Sequence, residues 1–446
     1  MWGCRWLSGT IAAGILLSIS CPVRAQDPNL SRFCFPLTRR DVRREYGSAG
    51  SFFYEGLVRI NQQDYDRAIA SLCRALALTP GDTDTYTALG VAFAGSGQTD
   101  VAEELYNIAI ELDPDNARAY NNLATLYNDR GQVDRALELY EEALDRDDEM
   151  AAVHNNIGLI EFDRGNFMAA EERFRTALDL QPELISARSN LGMVLLATGR
   201  SDEALVTLNQ ALESDRSNTP ANANLGVIFR QRGNAPDAIA VLTRALRNNP
   251  DLPATAYQLG QALAAADRHE EAIGAYRQAL QQQPDFPEAT VALGDALGAI
   301  GRTQDAIAAY ERAIDLWAVS DDLWNIAATR YKIGRIFADR NLWQDAVEQY
   351  QNAIDINPDY ALAYVGLGDI YWQRQDYAGA AELFREALAV QPNSAATYNR
   401  LGEVLFAQGN RTDAIAAWRT AIELDPFLGD AYTNLGNALS GGGLER

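Results

Sequence analysis

At 446 residues the chain is long enough for two or three compact domains, and 47% hydrophobic residues exclude global disorder. Its formal charge is −23, and Lys332 is the one lysine among 38 cations, the rest being arginine. So acidic a surface argues against nucleic acid, which needs clustered cations along its phosphates, and fits either a cationic partner or a protein kept soluble in high salt by its own charge.

The chain opens on a leader. Leu7 to Ser20 is an uncharged, largely apolar run preceded by Arg5, and Val23-Arg24-Ala25 offers small or apolar residues before a cut. That layout predicts a secretory signal peptide over residues 1–25, cleaved after Ala25, and a periplasmic or otherwise extracytoplasmic protein. The apolar run is shorter than the roughly 20 residues a membrane span needs. A lipoprotein signal ending at Cys21 and an uncleaved anchor are the competing readings. Residues 26–48 form a second segment, in which Arg39, Arg40, Arg43 and Arg44 make a basic patch on an acidic chain. The patch suits either a solvated leader, a contact with the acidic body or an anionic membrane surface. Cys34 and Cys73 remain once the signal is removed. In an oxidising compartment they are either a disulfide or two buried, idle thiols.

From residue 49 the sequence repeats every 34 residues. In the second unit Tyr86, Leu89, Gly90 and Phe93 stand at positions 4, 7, 8 and 11, a spacing that lies on one face of a helix. Ala102, Tyr106 and Ala109, at positions 20, 24 and 27, define a second helix. Gly97 between them predicts a left-handed helix end, and Pro114 closes the unit. Positions 20 and 27 are alanine in every unit, and position 8 is glycine in all but one, where Ala124 stands. Small residues there let two helices approach and a large neighbouring ring seat between them. Asp148, Arg216 and Ala318 replace the closing proline, and His154, Arg188, Asn222, Thr290 and Arg330 stand at position 4.

One break in phase stands out. Ala306 and Ala346 are 40 residues apart, so six residues are inserted near Trp317 to Ile326. The insertion predicts either a lengthened helix or a bulged loop, and an altered angle between the flanking arrays. Gly429 to Ser440 reads as one further, capping helix. The chain thus divides into a signal (1–25), a leader (26–48), repeats one to eight (49–318), an insertion (319–326), repeats nine to eleven (327–428) and a terminal helix with its tail (429–446).

These eleven units resemble the tetratricopeptide repeat family, and the resemblance covers residues 49–440. It implies an all-α, right-handed superhelical solenoid of antiparallel helix pairs. It also implies that the first helices line a concave groove in which position-6 side chains grip a peptide backbone. Here those are Asn122, Asn156, Asn190, Asn224 and Gln258, and Asn434 repeats the position in the terminal helix. The lysine-dependent carboxylate clamp of chaperone-binding members has no counterpart in a chain with one lysine.

No catalytic constellation emerges from the residues. His154 and His269 lie in different units, His154 at a packing position. No phosphate-cradling loop, nucleophile elbow or metal-ligand spacing occurs. The acidic stretch Asp145, Asp147, Asp148 and Glu149 lacks the turn-forming glycine of a calcium loop and reads as a solvated linker. The expectation is an exported, non-enzymatic scaffold that needs neither cofactor nor metal and binds an extended peptide segment. The alternatives are an accessory subunit or assembly factor of an envelope, polysaccharide-synthesis or photosynthetic-membrane complex.

Overall fold

A computed structural model describes residues 33–34 and 48–440. The expected signal peptide and its cleavage site, the arginine patch at 39–44 and the last six residues lie outside the described residues. Among the described residues there are 23 helices and no strand. They form eleven antiparallel pairs and one single helix, an all-α solenoid fold. Helices are numbered α1 to α23, odd numbers being the first helix of a pair. Contacts group the described residues into two compact units that divide between Thr198 and Gly199.

Each pair follows from its residues. In the second repeat α3 (Thr83–Gly95) ends where Gly97 takes φ +83°, and the Gln98 N–H then bonds the Phe93 carbonyl at 2.9 Å. The chain reverses into α4 (Thr99–Leu112), which stops before Pro114. The same left-handed turn is held without glycine by Gln63, Asp267, Asn341 and Gln375, at φ between 56° and 63°. Position 8 is small because of the ring opposite. A Cβ on Gly90 would stand 2.4 Å from Tyr106 Cε1, inside any allowed contact, and Phe174 and Trp418 press on Gly158 and Gly402 in the same way. Ala68, Ala102, Ala109 and their counterparts are fully buried at the helix crossings.

The six inserted residues extend both flanking helices. α16 (Thr303–Val319) and α17 (Leu323–Asp339) have 17 residues each, where the second repeat's helices have 13 and 14. Ala318 stands where proline closes other units, so nothing stops α16 from adding a turn. Ile314, Trp317, Ile326 and Ile333 share one apolar cluster, which packs the lengthened helices together inside the second unit. The added turns leave Val319, Leu323 and Trp324 exposed.

At the other end of the chain α2 (Tyr65–Leu78) carries Cys73, which forms a disulfide with Cys34, Cα to Cα 5.6 Å. Both cysteines are buried, and Phe33 packs on the same core. The single helix α23 (Gly429–Ser440) buries Ala431 and Ala438 in a cluster with Trp418 and exposes Tyr432 and Leu439. No helix among the described residues is long and apolar enough to cross a membrane.

Candidate peptide-binding site

Three cavities open at matching places along the first helices. In the first unit a cavity of about 350 Å³ lies among α1 (Ala49–Asn61), α3 and α5 (Ala117–Asp129), with Val91, Tyr106, Asn122 and Thr125 on its walls. The second unit holds one of about 470 Å³ among α13 (Pro253–Ala265), α15 (Pro287–Ala299) and α17. A third, of about 280 Å³, lies between α17 and α19 (Ala361–Gln373), walled by Tyr331, Arg335, Tyr350 and Asp369. Each is a trough between neighbouring first helices, with alanines or valines on its floor and aromatic rings from the second helices beneath.

The position-6 side chains stand on this face, half-buried, and most of them are engaged with the protein itself. The Asn156 amide donates to Asn121 Oδ1 at 3.5 Å, and its oxygen accepts from Asn155. Asn190 donates to Asn155 Oδ1 at 2.9 Å. Far along the chain Asn434 donates to Asn399 Oδ1 at 3.1 Å. Each bond runs from position 6 of one repeat to position 5 of the repeat before it. Gln258 Oε1 accepts from Arg230 Nε at 2.8 Å. Asn122 accepts from Asn121 and borders the first cavity, and Asn224 is half-buried at the same repeat position on α11 (Thr219–Gln231). The structure therefore brings Asn156 and Asn190 into a ladder that ties repeats together.

In the ninth and eleventh repeats the same place is charged. Lys332, at position 6, donates to Asp295 Oδ1 at 2.6 Å, and Arg400 lies 3.6 Å from Asp369. In both pairs the acid stands at position 9 of the preceding repeat. Burial raises the Asp369 carboxyl above its ordinary range, against the pull of Arg400. Asp369, Asp295 and Lys332 escaped the sequence reading because it followed one recurring residue type. The signal was the lone lysine standing in register with the asparagines.

The arginine bias also has a structural expression. Arg130, Arg164 and Arg232 each reach an aspartate 30 residues earlier, Asp100, Asp134 and Asp202. Arg130 also pairs with Glu103, whose carboxyl the Tyr127 hydroxyl holds below its ordinary value.

His154 is a structural residue. Arg173 Nη1 lies 3.3 Å from its Nδ1 and the Asp148 carbonyl 3.4 Å from its Nε2. Asn222, at the same repeat position, likewise meets Arg244 and the Arg216 carbonyl. Burial holds the His154 pKa below the ordinary 6.5, with the Arg173 charge acting in the same direction. The folded state therefore prefers the neutral ring, and the unfolded chain takes up the proton first. Stability from this site is complete above pH 6.5 and is lost as the pH falls below it. Melting curves from about pH 8 to about pH 5 should show that loss, and His154→Asn should flatten it.

In the acidic linker Asp147 Oδ1 accepts from the Glu149 N–H, an ordinary turn. Among the described residues no group of three or more histidine, cysteine or acidic side chains is arranged to hold a metal ion.

Comparison with known proteins gives repeat families. The family model described as the cilia and flagella-associated protein 70 C-terminal domain matches residues 59–289. Two models described as tetratricopeptide repeat match residues 285–358 and 331–395, and one described as TPR repeat matches 402–441. No curated protein matches. Among solved structures, yeast Tom70 is similar at 16% identity, over 88% of this chain and 95% of its own, with a TM-score of 0.44. Two structures of MamA are similar over 37% and 38% of this chain and 94% and 93% of their own. Their identities are 26% and 23%, and their TM-scores 0.33 and 0.34.

Proposed function

Because this chain belongs to the tetratricopeptide repeat family, whose members are scaffolds for protein interaction, we propose that it holds an extended segment of another protein against its first helices and performs no reaction itself. The observation that carries this reading is the recurrence of one trough at matching repeat positions. Neighbouring first helices lie about 10 Å apart, and an extended chain advances about 3.3–3.6 Å per residue, so a ligand meets one repeat about every third residue. Asn122 and Gln258 supply carboxamides to such a backbone, while Asn156, Asn190 and their partners keep the rail straight. The apolar leader supports an extracytoplasmic site of action, where the Cys34–Cys73 disulfide is at home.

The test is selection of peptides from a random displayed library against residues 26–446, followed by hydrogen exchange on the complexes. Slowed exchange confined to the odd-numbered helices is the expected result. Protection of the second helices alone, or a library that yields no ligand, overturns the groove reading. N-terminal sequencing of the natural protein should begin at Gln26, and an intact Met1 overturns export.

A further inference from the structure

The cavity of the seventh to ninth repeats differs from the other two in its chemistry. Three of its lining side chains carry a polar atom that is shielded from solvent and has no hydrogen-bond partner: Gln261 Oε1, His269 Nδ1 and Trp317 Nε1. Unpaired buried groups are rare because each gives up its bond to water without a replacement. Here a donor and an acceptor of this kind belong to side chains that line one trough. Trp317 lies in the added turn of α16, and Asn325 in the added turn of α17, so the insertion walls one end of the cavity.

The charges are unevenly matched. On α15 the Asp295 carboxylate accepts from Lys332 and from the Tyr310 hydroxyl, both at 2.6 Å. Arg230, beside the cavity, is bonded to Gln258. Glu288, exposed on the same helix, has no hydrogen bond or ion pair among the described residues. The trough therefore carries one carboxylate without a protein partner among the described residues, on a lining that also includes Tyr257 and Trp317.

We propose that this cavity is the selective subsite of the scaffold and takes an extended, arginine- or lysine-bearing segment of a partner protein. Glu288 receives the cation, and the Tyr257 and Trp317 rings cover its apolar stem. The Trp317 N–H donates to a backbone carbonyl of the segment, and Gln261 Oε1 accepts from a backbone N–H. From α13 to α17 the trough crosses two helix spacings, about 20 Å, which an extended chain covers in about six residues. A saccharide would also meet rings and carboxylates, but it has no cation for Glu288. The proposal rests on the peptide-groove reading above and adds to it a place and a preference.

The displayed-library selection tests both and keeps them apart. Peptides recovered on residues 26–446 should be enriched in arginine or lysine and should slow exchange in α13, α15 and α17. Synthetic copies should lose about tenfold in affinity on Glu288→Gln, and much of their salt dependence with it. The copies whose cation is replaced by leucine should bind both proteins equally. Trp317→Phe should weaken binding, because the change removes the unpaired donor while leaving an aromatic ring in the cluster, and the melting temperature of the unliganded protein measures the packing lost with the larger indole. Peptides without cation enrichment, protected at other repeats or indifferent to Glu288→Gln, overturn this subsite and leave the groove reading standing. No recovered peptide, with binding to a glycan array instead, overturns both.

Discussion

Trp418→Ala should destabilise the last two repeats by about 3–5 kcal/mol, the range for emptying a large aromatic site in a packed core. The ring is completely buried, lies 5.7 Å from Phe406 and presses on Gly402, and its Nε1 donates to the Asn399 carbonyl at 3.2 Å. α23 shares its cluster, so the terminal helix should detach with it. Repeat arrays transmit stability between nearest neighbours, and the loss should fade toward the N-terminus. Hydrogen exchange resolved by peptide measures this directly. Exchange accelerated equally over α1 to α23 would mean the array melts as one block.

The second large effect concerns the disulfide. Replacing Cys34 and Cys73 together by serine opens a link of sequence separation 39, for which the chain-entropy account gives about 3–4 kcal/mol. Both sites are also nearly closed to solvent, so the serine hydroxyls would enter an apolar cluster. α1 and α2 should lose exchange protection, and a protease should cut the released leader well before the repeats. Reductant applied to the unmutated protein should reproduce the result. A leader that stays protected after reduction would show that Phe33 and its neighbours hold it without the covalent bond.

Much of this architecture is legible in the sequence because its causes are local. Alanine at positions 20 and 27, glycine at position 8 opposite a ring, and glycine or proline at helix ends each have one steric reason, repeated in phase. The ladder was half legible. Position 6 could be picked out as an exposed, recurring amide, but its partner stands 35 residues earlier at position 5, and a single-residue pattern does not reveal a pair. The arginine-to-aspartate ties span 30 residues and recur in 34-residue steps, and the Lys332 tie spans 37 only because it encloses the six inserted residues, so the period marks each partner without revealing the pairing. The six inserted residues were visible as a phase error. Their division between α16 and α17 depends on packing by Trp317 and Ile326, which no periodicity encodes. The seventh-to-ninth-repeat cavity is built from departures from the repeat, and an averaged pattern removes those first.

The ties described above are all short in sequence. Among the described residues, side-chain hydrogen bonds reach across 37 residues at Lys332 and Arg340, and the disulfide across 39. Loop-closure entropy is accordingly small at every step, and low contact order favours rapid folding despite the length of the chain. Each repeat finds its partners in the repeat made just before it. The protein can therefore fold in order as it is synthesised, without waiting for its C-terminus.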